Sequence, residues 1–145
     1  MEEDLLSLPP ETKFYKEGMI FAVAFFGGPL GGAYMIAENF RTMGRPGKAV
    51  LTWVISVLYL PLMVGGTYLI PGLNKVPSAA YAIIYPVCAG LFVRNYQGPA
   101  LKAHLESGGY FYSGWRAFAI CLIGLGTIVA VALALVAASG GLGTI

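Results

Sequence analysis

The chain has 145 residues, of which 57% are hydrophobic and only 11% are charged, and its formal net charge is +2. A soluble domain carries roughly 25% charged residues, so this chain lacks the polar side chains needed to coat a surface that faces water on every side. The net charge is too small and too scattered to suggest nucleic acid, so we predict no nucleic-acid partner. The composition predicts a single membrane domain over residues 1–145, with the lipid bilayer as its first partner.

The chain opens with an acidic segment that contains two prolines, over residues 1–17. A signal peptide would instead carry a basic region followed by an apolar stretch. The sequence therefore predicts an acidic N-terminal tail ahead of the membrane domain.

Charged residues divide the remaining chain into four long uncharged runs. Crossing a hydrocarbon core of about 30 Å takes about 20 helical residues, and each run is long enough. No amphipathic remainder is left to cover four such helices in a soluble fold. The sequence therefore predicts an all-α integral membrane protein with four transmembrane helices, over about 18–38, 49–73, 76–94 and 116–138.

Lysines and arginines predict the orientation of these helices. With four spans, the first and third connections lie on one side and carry six of the nine basic residues, against three on the other side. Basic connections favour the cytoplasm, so this arrangement predicts that both termini lie outside.

The third connection contains a candidate helix over 98–108. Pro99 stands at its start and Gly108 just past its end, which is the usual placement of these residues. Leu101 and Leu105 share one face. The pattern fits a helix lying in the headgroup layer, and it fits equally well a polar loop with one helical turn.

Small residues at a spacing of four predict close helix packing in lipid. In the first span they form two GxxxG pairs, Gly27 with Gly31 and Gly28 with Gly32. In the fourth span they form a stripe that we expect to receive either the first span or a different subunit: Gly126, Ala130, Ala134 and Ala138.

Three prolines, Pro29, Pro61 and Pro86, fall near the centres of the first three runs. Proline removes a backbone hydrogen bond, so we expect each helix to kink there. Two interpretations are open. Neighbouring helices can simply accommodate the kinks, or the broken helices can expose backbone groups to a solute at mid-membrane, as in secondary transporters.

The uncharged runs contain no Asp, Glu, Lys, Arg or His, which argues against an ion-coupled pump. His104 is the only histidine, so neither bis-histidine haem ligation nor a multi-histidine metal site is possible within one chain, and we expect it to be a solvated residue of the third connection. Cys88 and Cys121 lack metal-ligand spacing and are expected to be small apolar core residues. We therefore predict no catalytic residue, no cofactor and no metal.

The segment GGPLGGAYMIAENFRTMGRPGKA, residues 27–49, resembles part of a group of small bacterial inner-membrane proteins. These carry a Gly-Gly-Pro-Leu run, a tyrosine, and an Asn-aromatic pair before a basic connection. The resemblance implies a bacterial cytoplasmic membrane and about four spans, and it implies no activity, ligand or partner.

Close-packing residues without reactive chemistry predict a non-enzymatic protein, an accessory or structural subunit of a larger membrane complex whose partners are other membrane protein subunits. The alternative is a small homo-oligomeric channel or uncoupled facilitator that uses the broken helices at mid-membrane.

Overall fold

The computed structural model describes residues 11–138, so the first ten residues of the predicted acidic tail and residues 139–145 lie outside it. The described chain is almost entirely helical, as predicted. Its elements are β1 (Lys13–Phe14), α1 (Glu17–Phe26), α2 (Gly28–Thr42), α3 (Pro46–Leu69), a 3-10 turn (Leu73–Lys75), α4 (Ser78–Tyr96), α5 (Gly98–Glu106), β2 (Tyr110–Phe111) and α6 (Gly114–Ala138). β1 and β2 pair in parallel.

The first predicted span is a hairpin of two antiparallel helices. α1 ends at Phe26, Gly28 has a φ of +71°, and Pro29 lies in the first turn of α2. Residues eight apart on a straight helix are separated by about 12 Å, yet a Cβ on Gly32 would meet the Cβ of Ala24 at 2.9 Å. We call the Gly27–Gly28 turn the tip of the hairpin, and the opposite end, where α1 begins and α2 ends, the base.

Contacts at the base confirm that the chain doubles back. The backbone N–H of Tyr15, just before α1, donates a 2.8 Å hydrogen bond to Asn39, near the end of α2. α1 has only 10 residues, a length of about 15 Å, or half of a hydrocarbon core. A hairpin that begins and ends at the base thus replaces the predicted kinked helix over 18–38. Glycine followed by proline, a combination that ends one helix and starts the next, accounts for the reversal.

The longer helices pack around the hairpin, and α4 runs from its tip to its base. The Tyr85 hydroxyl donates to the carbonyl of Pro29 at the tip, at 2.9 Å. Near the base, the Gln97 side chain donates to the carbonyl of Ile36, also at 2.9 Å. α4 corresponds to the span predicted over 76–94.

α3 and α6 both start at the base and pass beyond the tip. Lys48, in the first turn of α3, lies 5.8 Å from the ring of Phe40 near the base. Arg116, in the first turn of α6, contacts Tyr15, and Gly124 lies against Gly27 at the tip. Pro29 lies at the start of α2 rather than within a helix, whereas Pro61 and Pro86 lie in the interior of α3 and α4, where the kinks stay predictions.

Two of these helices are long and apolar enough to cross a membrane: α3, over Pro46–Met63, and α6. Only 17% of the first segment and 6% of the second is buried, whereas the core helix of a soluble protein would be mostly buried. The outward apolar side chains fit a lipid environment. The number of four transmembrane helices is not confirmed.

The best-packed part of the protein lies in the base half of the bundle. Its largest fully buried apolar side chains come from the segment before α1, from the hairpin and from α4: Phe14, Tyr15, Ile20, Met35, Phe40 and Val93. The predicted tail therefore contributes Phe14 and Tyr15 to the core.

Candidate functional site

A buried amide network joins three parts of the chain at the base. The side chain of Asn39 accepts from the N–H of Tyr15 and donates to its carbonyl at 3.0 Å. These two hydrogen bonds resemble those that a neighbouring β-strand would make to the same residue. Asn39 also donates to the Gln97 side chain at 3.1 Å, and Gln97 in turn donates to the carbonyl of Ile36. Asn39 and Gln97 are 1% and 0% exposed. Since all these groups are paired within the chain, the network fixes the fold and has no free group for a ligand.

Two Asn-aromatic pairs, Asn39-Phe40 and Asn95-Tyr96, precede basic connections in the sequence, and neither these pairs nor Gln97 was predicted to form a site. The structure gives the two asparagines different environments, because Asn95 is exposed on α4. The side-chain partner of Asn39 on the other segment is Gln97, which lies two residues after Asn95. The only indication in the sequence is that this glutamine stands directly before a Gly-Pro helix start.

Next to this network, Arg116 lies among three tyrosines. Its Nε donates to the Tyr15 hydroxyl at 2.7 Å, and its guanidinium carbon lies 4.2 Å from the ring centre of Tyr112. The guanidinium of Arg116 also donates a longer hydrogen bond, of 3.5 Å, to the hydroxyl of Tyr34. Stacking on an aromatic ring and donating to hydroxyls are both typical of arginine. The cluster ties the start of α6 to the segment before α1.

Burial raises the pKa of Tyr15 to about 12, against the opposing effect of the Arg116 cation. At neutral pH this phenol is therefore fully protonated. It cannot act as a general base, and it serves as a neutral partner for Arg116.

His104 is not the solvated residue that we expected. It is 9% exposed, its ring stands edge-on to those of Phe14 and Phe111, and its Nε2 lies 3.0 Å from the carbonyl oxygen of Tyr110. The reason is that β2 brings the chain back over α5. No group of three or more His, Cys, Asp or Glu that could hold a metal occurs within residues 11–138.

The glycines of the first span bring the backbones at the tip into close contact. A Cβ on Gly27 would meet the Cα of Cys121 at 2.9 Å, and one on Gly32 would meet the Cβ of Ala24. A Cβ on Gly31 would contact Val23, and a Cβ on Gly28 would contact Ile128. These four glycines therefore pack the hairpin on itself and against α6.

On α6 these glycines meet Gly124 as well as Cys121 and Ile128, and Gly124 was not among the predicted packing residues. A Cβ there would overlap the carbonyl oxygen of Gly27. The predicted stripe lies elsewhere: a Cβ on Gly126 would meet nothing within 4 Å, and Ala130, Ala134 and Ala138 are exposed. Since each residue turns the helix by about 100°, Gly126 lies roughly 200° around from Gly124. The stripe faces away from the hairpin.

Under the tip lies a cavity of about 440 Å³ between α3, α4 and α6. Pro29 and Pro86 both line it, whereas Pro61 is exposed and does not. A second cavity of about 330 Å³ separates α3 from α4 nearer the base, and it shares the walls formed by Tyr59 and Tyr85. Cys88 is exposed and lines this second cavity rather than the core.

The tyrosine hydroxyls in these walls are already bonded within the chain. Tyr85 donates to Pro29 and lies 2.9 Å from the Ser56 hydroxyl, and Tyr59 donates to the carbonyl of Tyr81. The walls that remain are apolar and suit hydrocarbon rather than a polar solute.

Charge is distributed very unevenly along the bundle. The hairpin places both ends of the first predicted span at the base, so its flanking cations join those of the later connections. Eight of the nine lysines and arginines lie at the base end: Lys13, Lys16, Arg41, Arg45, Lys48, Arg94, Lys102 and Arg116. Lys75, in the turn between α3 and α4, is the remaining one.

Comparison with known proteins gives no family and no activity. No protein-family model matches the chain, and no curated protein or solved structure matches it either.

Proposed function

We propose that this chain is a polytopic membrane protein with three crossing helices, α3, α4 and α6, and a hairpin that enters from one face and reaches mid-membrane. This proposal replaces the four-span arrangement and places the N-terminus and the base in the cytoplasm. The charge distribution supports it: eight cations against one is a much stronger bias than the six against three of four spans. The C-terminal end of α6 then lies outside. The resemblance of residues 27–49 favours a bacterial inner membrane.

Within that membrane we propose the role of a non-enzymatic accessory or structural subunit of a larger complex. The observation that carries it is the outward stripe on α6. The chain uses a different face, through Gly124, for its own packing, which leaves the row from Gly126 to Ala138 exposed. Because lipid tails are as apolar as leucine, close backbone contact is a main source of attraction between membrane helices. A row of small residues without internal use suits a helix from another subunit.

Cysteine labelling tests the arrangement in the membrane. In a background with Cys88→Ala and Cys121→Ala, single cysteines at Glu11, Gly47 and Val76 are labelled from one side of intact vesicles. The hairpin arrangement expects Glu11 and Gly47 to react from the same side and Val76 from the other. Four spans would instead place Glu11 with Val76, and that result would refute the hairpin in the membrane.

Co-purification after mild detergent extraction tests the role as a subunit. Ala134→Ile fills the stripe and should remove chains that co-purify with the unaltered protein, while the isolated chain stays folded. Leu133→Ile, on a neighbouring exposed face, is the matched control and should retain them. Equal retention in both variants would leave the stripe without a role and contradict the proposal.

A facilitator remains the second candidate because the 440 Å³ cavity lies at mid-membrane between Pro29 and Pro86. Against it stands the base half, where buried side chains such as Phe40 and Val93 fill the path from the cavity to the base. Solute flux through the reconstituted chain alone, lost on Pro29→Ala, would favour the facilitator over the subunit.

A further inference from the structure

A cleft at the base collects cations beside apolar side chains. It has a volume of about 720 Å³ and lies between the start of α1, the end of α4 and α5. Lys16, Arg94 and Lys102 line it, together with the carboxylate of Glu17. All four side chains are exposed, and the cleft carries an excess of positive charge.

The chain does little to neutralise these cations. Among the residues that the structure describes, neither Lys16 nor Arg94 forms an ion pair, and Lys102 meets Glu106 only at 4.0 Å, between two exposed side chains. An exposed pair of this kind contributes little. Lys16 instead lies 5.3 Å from the ring centre of Phe111. The three cationic groups thus line one cleft and remain open to an anion.

The same cleft has an apolar wall. Leu105 is 60% exposed on α5, and Phe111 lies half-buried beside it. α5 also begins in the cleft, at Gly98, and the start of a helix carries partial positive charge. A free phosphate ion would use only the charges, whereas a phospholipid presents a phosphate next to methylene groups. The combination of cations and exposed apolar side chains at one end of a membrane bundle therefore matches a lipid.

We propose that this cleft binds the headgroup of an anionic phospholipid, with the phosphate between Lys16, Arg94 and Lys102 and the first methylene groups against Leu105 and Phe111. Basic pockets between helices on the cytoplasmic side are suited to such headgroups. The proposal rests on the placement of the base at the headgroup layer. It deepens that placement by naming a lipid class.

Native mass spectrometry of the full-length protein in a neutral detergent tests it, with phosphatidylglycerol as the probe and phosphatidylcholine of the same chains as the neutral comparison. The double variant Lys16→Gln with Arg94→Gln should weaken binding of the first phosphatidylglycerol by about 30-fold, because each surface cation contributes on the order of 1 kcal/mol to the binding of anionic lipid. Lys13→Gln with Arg41→Gln removes the same charge from the base outside the cleft and should leave that binding unchanged. Glu17→Gln should strengthen it.

Three results would overturn the proposal. Equal weakening in both double variants would mean that charge acts diffusely over the base. Phosphatidylcholine binding as tightly as phosphatidylglycerol would remove the anionic preference, and inorganic phosphate displacing the lipid at millimolar concentration would indicate a site for a free anion. Binding in detergent does not depend on orientation, so these failures are distinct from failure of the cysteine labelling.

Discussion

Two glycines on α6, Gly124 and Gly126, give a matched test of how this helix packs. Both change to alanine with the same gain in helix propensity, up to about 1 kcal/mol. They differ in what the new methyl group meets. At Gly124 it would overlap the carbonyl oxygen of Gly27 and come within 3.3 Å of the backbone nitrogen of Gly31. At Gly126 it would meet nothing within 4 Å.

The overlap at Gly124 involves backbone atoms, which cannot rotate away as a flexible side chain can. α6 must therefore move off the hairpin tip, and overpacking of this kind costs about 1–3 kcal/mol. We expect Gly124→Ala to lower the free energy of unfolding by about that amount. Gly126→Ala should leave it unchanged or raise it by up to about 1 kcal/mol.

Unfolding of the purified protein in mixed micelles, followed by circular dichroism as the fraction of denaturing detergent rises, measures both variants under one condition. Equal stability of the two variants would refute the packing of α6 through Gly124. A loss confined to Gly126→Ala would show that the stripe, rather than the Gly124 face, contacts the hairpin.

Two further predictions concern the base. Asn39→Leu leaves the N–H of Tyr15 and the carboxamide oxygen of Gln97 buried without partners, at about 1–3 kcal/mol each, so the variant should be destabilised by several kcal/mol in the same unfolding assay. Asn95→Leu, at the exposed position, should have an effect below about 0.5 kcal/mol, and similar losses at both sites would contradict the buried network. The pKa of Tyr15, raised by burial to about 12 from an ordinary value of 10.0, means that the folded state holds this proton more tightly than the unfolded state. Its contribution is therefore complete below about pH 10 and is lost as the pH rises towards 12. Thermal unfolding from pH 9 to 12 should show a weaker decline for Tyr15→Phe than for the unaltered protein, whereas Tyr110→Phe, on the exposed β2, should retain the decline.

The helices α3, α4 and α6 lie where the gaps between charged residues predicted spans, because a long apolar run has few alternatives to a helix in lipid. The hairpin was missed for a physical reason. A run of twenty uncharged residues shows how long the apolar segment is but not whether the chain reverses within it. One crossing helix and two short antiparallel helices can therefore have the same composition. The distinguishing signal was the Gly-Gly-Pro sequence at 27–29, which was interpreted as a kink within a helix rather than as the end of one helix and the start of the next.

The packing face of α6 could not be predicted because spacing identifies rows of small residues and does not fix how a helix is rotated. The row from Gly126 to Ala138 is the longest, yet the close contacts come from the face of α6 that carries Gly124 and Cys121. Gln97 was overlooked and His104 was misjudged for a related reason. Both stand in a connection that looks polar in sequence, and they are buried only because Gln97 bonds to α2 and β2 returns over His104.

The hairpin and the charge distribution support each other by independent routes. Contacts between Ala24 and Gly32 and between Tyr15 and Asn39 define the hairpin without reference to any charged group. Reversing the chain at the tip then brings Lys13 and Lys16 to the end that already holds the other basic connections. The proposed arrangement puts the tip at mid-membrane, where its backbone needs partners because lipid offers none. The Tyr85 hydroxyl meets part of that need at the carbonyl of Pro29, with Ser56 alongside it. Two hydroxyl groups in the middle of the bundle, those of Tyr85 and Ser56, thus serve the turn itself.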